Sequence, residues 1–217
     1  MRSALGGLVR YIATPATAKH RVFVWVSTDI LCNQGTLVFA RSDDYFLGVL
    51  HSRAHEIWSR SVGTQLREAE SGFRYTPTSC FETFAFPWSP GTEPAEDDDP
   101  RIRAVAHASR ELVRLRNNWL NPPGIDPNEL AKRTLTNLYN QRPEWLANAH
   151  HALDEAVFAA YGWPSDLSRA EILGRLLELN QKRAAGHVRA PIAYLPPKKA
   201  PGVERLPRKT VDRVAGR

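Results

Sequence analysis

The sequence predicts an α+β fold: an N-terminal mixed α/β segment, then a small four-helix bundle, then a disordered basic tail. Three observations carry this. Up to residue 88, β-branched and aromatic runs of strand length accompany a single helical stripe, whereas 100–185 is helix-periodic throughout. Between them, 89–99 follows Pro87 with Pro90, Pro94 and the acidic run Glu96-Asp97-Asp98-Asp99, a composition suited to a domain boundary. Beyond Gly186, Pro191, Pro196, Pro197, Pro201 and Pro207 alternate with Lys and Arg, a segment too polar to bury a core. The expected boundaries are 1–88, a linker over 89–99, 100–185, and a tail over 186–217.

In the first segment, Arg21-Val22-Phe23-Val24-Trp25-Val26 and Thr36-Leu37-Val38-Phe39-Ala40 read as strands, with Asn33, Gln34 and Gly35 as turn formers between them. Asp43 is a plausible N-cap. After it, Phe46, Leu47, Leu50, Ala54, Ile57 and Trp58 recur at three and four, predicting one helix of about four turns. Residues 63–72 read as a polar loop, and Phe81, Phe84 and Phe86 close the segment. In the second, Asp99-Pro100 starts a helix whose apolar face is Ile102, Val105, Ala108, Leu112, Leu115 and Trp119. Asp126-Pro127-Asn128-Glu129 and Ser168-Arg169-Ala170-Glu171 are further starts with capping-box glutamates. Leu146, Ala149, Leu153, Val157 and Ala160 mark the helix between them, stopped by Gly162 and Pro164.

The chain has a net charge of +6, and the excess is local: 186–217 holds 8 Lys+Arg against 2 Asp+Glu, while 1–88 holds 9 against 7. A basic tail holds polyanions through counterion release without reading sequence; as a solvated terminus it needs no partner. No apolar run is long enough to span a membrane, and the start is too short and too charged for a signal peptide. Cys32 and Cys80, outside any CxxC spacing, exclude a disulfide framework or zinc ribbon and fit a cytoplasmic chain.

Motifs for catalysis are incomplete. Asn121-Pro122-Pro123-Gly124 approaches the Asn/Asp-Pro-Pro-aromatic loop of adenine methyltransferases, but Gly124 cannot stack on a flipped base. Read as a helix stop before Asp126 it needs no chemistry. No Gly-x-Gly turn is available to hold a nucleotide cofactor, and there is no Walker sequence, HExxH or Gly-x-Ser-x-Gly. His51 and His55 have i,i+4 metal-ligand spacing with Glu56 alongside; lacking an assignable third ligand, they favour a surface or capping role. Cys80 reads as core. What remains is polar loops between aromatic strands, with Arg and Lys able to donate to guanine or phosphate and Thr able to contact a thymine methyl.

Several stretches together resemble one family. These are Arg10-Tyr11-Ile12-Ala13-Thr14-Pro15, Ala18-Lys19-His20-Arg21-Val22-Phe23-Val24-Trp25, Asp43 to Arg53, Arg74-Tyr75-Thr76-Pro77 on to Pro87, Thr134 to Asn140, and 156–163. They are similar to the target recognition domain and helical C-terminal part of MmeI-like (type IIL) restriction–modification enzymes, which are adenine-specific DNA methyltransferases. The resemblance covers about residues 8–185. It implies a longer parent, whose upstream Rossmann-like domain binds S-adenosylmethionine and carries the catalytic loop. This chain alone is then expected to be inactive, with no catalytic, cofactor or metal residue. The implied partners are double-stranded DNA and a methyltransferase chain or domain encoded upstream, with no membrane. The implied roles are phosphate or the fold for Lys19, His20, Arg21, Arg74 and Tyr75, and base readout for the loop 60–71 with Arg60 and Arg67. Arg60, Arg67, Arg74 and Lys19 should then converge on one concave face. A free-standing specificity subunit acting in trans, and a non-catalytic protein-interaction remnant, are the competing readings.

Overall fold

The computed structural model describes residues 2–65 and 72–185. A turn of 3-10 helix at Arg2–Leu5 leads into β1 (Arg10–Pro15), the middle strand of an antiparallel sheet β3-β1-β4 with β3 at Val24–Ser27 and β4 at Thr36–Phe39. Ile12 pairs with Trp25 on one side and Phe39 on the other. Strand alternation sends Ile12 into the main core and Tyr11 and Ala13 to the opposite face. There they form a second small cluster with Leu5, covered by Leu8, Val24, Val26, Cys32 and Val38. The Tyr11 hydroxyl donates to the Ile30 carbonyl at 2.7 Å, and burial pushes its pKa up to about 12.

The helix predicted after Asp43 is two helices, α1 (Asp44–His51) and α2 (Arg53–Val62). Asp43 caps α1 as expected, accepting from the Phe46 N–H at 2.9 Å. The break is at Ser52, whose backbone is extended (φ −69°, ψ 155°). Its buried hydroxyl donates to the Val49 carbonyl at 2.7 Å and accepts from the His55 N–H at 3.3 Å. One side chain thus ends α1 and starts α2, a local competition with the helical ladder that apolar spacing cannot reveal. Ser52→Ala is expected to cost about 1–2 kcal/mol, read as a lower urea midpoint at unchanged slope.

A second sheet, β2-β6-β5, joins Thr17–Ala18, Phe73–Arg74 and Thr64–Gln65. The strand β6 ends at Arg74. Pro77–Phe81 winds as one π-helical turn, closed by the Glu82 N–H on the Pro77 carbonyl at 2.9 Å. Phe81, Phe84 and Phe86 enter the core, with Phe86 stacked on Phe46 at 5.0 Å.

Among the described residues five helices follow where four are predicted: α3 (Pro100–Leu120), α4 (Pro127–Ala131), α5 (Leu135–Gln141), α6 (Glu144–Tyr161) and α7 (Arg169–Ala185). The additional one, α5, is capped by Thr134 and buries only Leu138. Asp99 and Asp126 cap as predicted, and Ser168 and Glu171 exchange the reciprocal capping-box bonds. Glu129 pairs with Lys132 instead of closing a box. Asn121 ends α3, and Gly124 lies in the exposed turn that follows. The predicted tail, 186–217, lies outside the described residues.

The main core runs from the sheets into the bundle without interruption. At Gly48 of α1, a Cβ would come within 2.8 Å of Val105 Cγ1, 3.1 Å of Ser109 Cβ and 3.2 Å of Leu153 Cδ1, so this glycine lets α1 settle onto α3 and α6. Asp44 accepts from Arg10 at 3.0 Å and from Arg110 of α3 at 3.4 Å. Glu93, within the proline-acid segment, pairs with Arg41 at 2.7 Å. From α7, Asn180 donates to the Thr83 carbonyl and Arg183 to the Phe86 carbonyl. The 89–99 segment is docked on both sides, through Glu93 on Arg41 and through Glu96, which pairs with Arg110 of α3 at 2.9 Å.

Candidate nucleic-acid interface

The second sheet presents one polar row to solvent. Thr17, Arg74 and Thr64 are directly paired across its three strands, and all three are exposed. Paired residues of antiparallel strands share a face, at about 4.8 Å per strand, so a guanidinium is flanked by two threonine side chains. The neighbouring position, Phe73, points inward and is buried. Gly72 makes the tight approach possible: at φ +78° its missing Cβ would lie 2.2 Å from the Ala18 carbonyl oxygen.

Beneath the row sits Arg21, 8% exposed. It donates to Thr14 Oγ1 at 3.2 Å, to the Pro15 carbonyl, and to the Phe73 carbonyl at 3.1 Å. Its guanidinium lies over the Phe73 ring at 4.8 Å and the Tyr75 ring at 5.1 Å. Burial lowers its pKa to about 10, which leaves it charged at neutral pH. Tyr75 is also buried, its hydroxyl 2.9 Å from His55 Nε2. His55 Nδ1 faces the Leu50 carbonyl at 2.8 Å and must donate to it, so Nε2 accepts the Tyr75 proton. Of the two roles implied for them, phosphate contact or support of the fold, Arg21 and Tyr75 therefore take the second. Neither can face DNA as it stands, because both side chains are turned into the core.

The remaining predicted positions separate. Lys19 is exposed directly after β2. His20 is half-buried, and its Nε2 bonds Asn140 Oδ1 of α5 at 2.8 Å. Arg60 pairs with Glu56 at 2.8 Å and lies 5.4 Å over the Phe73 ring, on the inward side of β6, away from the face that carries Arg74. Arg67 lies outside the described residues. The convergence expected of Arg60 with Arg74 and Lys19 is not what the structure builds, because successive residues of β6 point to opposite faces. Thr64 falls inside the 60–71 loop expected to read bases, but neither it nor Thr17 is singled out by the sequence, because two-residue strands give no periodicity.

The histidine pair is corrected in part. His51 and His55 are buried instead of exposed, and His55 caps the end of α1 through its bond to the Leu50 carbonyl. His51 Nε2 lies 2.7 Å from the Phe23 carbonyl oxygen and 3.1 Å from the guanidinium of Arg116, itself buried. Among the described residues no group of three His, Cys, Asp or Glu is placed to hold a metal, and no helix is long and apolar enough to cross a membrane.

The sequence profile of the MmeI target recognition domain matches residues 14–88, the segment that contains β2 to β6 and with them the Thr17–Arg74–Thr64 row. That segment is similar in sequence to an MmeI-type target recognition domain. DNA methyltransferase A of Bacillus subtilis (strain 168) is 29% identical over 155 residues, covering 69% of this chain and 15% of the relative. The solved structure of the type IIL restriction–modification enzyme MmeI in complex with DNA shares the fold, with a TM-score of 0.63 at 24% identity over 82% of this chain and 22% of that one. The MmeI-type fold thus extends past the profile match into the helices. The chain spans less than a quarter of either relative.

Proposed function

We propose that this chain is the DNA target-recognition portion of a site-specific adenine methyltransferase of the restriction–modification kind. The observation that carries the reading is the exposed Thr17–Arg74–Thr64 row, which lies inside the segment matching the MmeI target recognition domain. A row across three strands fits a major groove about 12 Å wide, where a guanidinium pairs bidentately with guanine and threonine methyls pack on thymine. The buried Arg21 beneath the row fixes the Phe73 carbonyl and with it the direction of Arg74. Methyl transfer and S-adenosylmethionine binding are assigned to a methyltransferase domain or chain beyond these 217 residues, which supplies the catalytic loop. Lys19, beside the row, serves as a phosphate contact.

The test is selection of duplexes from a randomised DNA library by the full chain, followed by titration of the preferred sequence. Arg74→Ala is expected to weaken the preferred duplex by about 1–3 kcal/mol and to relax the preference at one position. A wild-type chain that enriches no sequence, or an Arg74→Ala chain that enriches the same one equally well, overturns the reading.

A further inference from the structure

Between Glu129 and Glu144 the chain has three cations, Lys132, Arg133 and Arg142, and no acidic residue. This stretch is α5 with its flanks. It turns Leu138 and Tyr139 inward, Tyr139 bonding His150 at 3.0 Å, and exposes Thr134, Thr136, Asn137, Asn140 and Gln141. Its outer surface is thus a ridge of uncharged hydrogen-bonding groups and cations. The His20–Asn140 bond, with the His20 ring 5.9 Å from Tyr139, pins that ridge to the connection between β2 and β3, one residue from exposed Lys19 and three from Thr17.

The three cations differ. Lys132 pairs with Glu129 at 2.7 Å, and Arg133 donates to the Trp119 carbonyl at 2.9 Å. Arg142 is exposed, and its guanidinium has no hydrogen-bond or ion-pair partner among the described residues. It also has a left-handed backbone (φ 43°, ψ 62°), the one non-glycine residue among those described with positive φ. An arginine there costs about 1–2 kcal/mol that a glycine would not.

We propose that the 132–142 ridge is a second DNA contact, holding the phosphodiester backbone through Arg142 and extending the recognition face from the Thr17–Arg74–Thr64 row through Lys19 onto the helical part. This rests on the target-recognition reading above. Phosphate contacts position a protein without reading sequence, so the ridge sets affinity and orientation while the sheet sets preference.

The experiment titrates the full chain with fluorescein-labelled mixed-sequence duplexes over a salt series. Arg142→Gly removes the charge while accepting the backbone conformation, so its urea midpoint should equal or exceed that of wild type. Its binding should weaken by about three- to tenfold, equally on every duplex, with the log–log salt slope shallower by about 0.9. Arg142→Gln should do the same, and Arg142→Lys should restore both affinity and slope. Wild-type slope and affinity in both neutral variants, with Arg74→Ala still impaired, overturn the ridge and leave the sheet reading standing. An Arg142→Lys chain as weak as Arg142→Gly, or a loss confined to one sequence, also overturns it. A wild-type chain that binds no duplex removes both.

Discussion

Gly48→Val is expected to destabilise the whole chain by about 1–3 kcal/mol, lowering the midpoints of the sheet-bearing and helical parts together. Valine would put branched carbon where even a Cβ comes within 2.8 Å of Val105 and 3.2 Å of Leu153. These neighbours belong to α3 and α6, and Val105 and Leu153 are fully buried, so neither has room to withdraw. The proline-acid composition of 89–99 argues for two units that melt separately. The packing argues otherwise, since α1 and α2 lie against α3, α6 and α7 in one core. The check is urea denaturation followed by far-UV circular dichroism and by tryptophan fluorescence in parallel. Trp25, Trp58 and Trp88 report on the sheet-bearing part and Trp119, Trp145 and Trp163 on the helical part. Coincident transitions in wild type, shifted equally by the substitution, are expected. Two separable transitions, only one of them moved by Gly48→Val, would show that the shared core does not couple the parts.

What the sequence discloses here is the chemistry that completes itself within four residues. Asp43, Asp99, Asp126 and Ser168 cap their helices because a cap and its recipient N–H are neighbours in the chain. β1 is hidden for the opposite reason. Buried on both faces, it shows no alternation, and only its partners β3 and β4 define it. The spacing of His51 and His55 places them on one side of the chain but says nothing of what that side meets, here Phe23, Tyr75 and Arg116. Arg21 is the extreme case. Its oxygen partners are two backbone carbonyls and a threonine hydroxyl, and no side-chain pattern marks a guanidinium that bonds carbonyls 6 and 52 residues away. The resemblance therefore located the recognition domain, while the exposed row within it depended on strand register.

Acidification from pH 6.5 to 4.5 is expected to remove on the order of 3–5 kcal/mol of stability, the largest response in this set. His51, His55 and His150 are all held neutral by burial. The pKa of His51 falls well below the ordinary value, with the Arg116 guanidinium adding to the effect, and those of His55 and His150 fall to about 4. In the unfolded chain each titrates near 6.5. Between about 4 and 6.5 the unfolded state therefore binds more protons, so stability is full above 6.5 and drains as pH falls, by up to about 1.4 kcal/mol per unit for each histidine. Asp154 acts in the other direction. Burial raises its pKa to about 6 even though it accepts from the Arg53 N–H at 2.6 Å, so acid favours its folded form over the same range. Three histidines against one carboxylate leave a net loss. That loss is comparable with the whole stability of an ordinary domain, and it falls where the Phe23–His51–Arg116 and Leu50–His55–Tyr75 contacts join the recognition sheets to the helices. Urea midpoints measured at pH 7.0, 6.0, 5.0 and 4.5 should fall steeply below 6.5. His150→Gln, which keeps a partner for the Tyr139 hydroxyl but cannot titrate, should flatten that fall by about one histidine's share. Midpoints that hold level or rise on the way to pH 5 would mean that these imidazoles gain protons without disturbing the contacts they make.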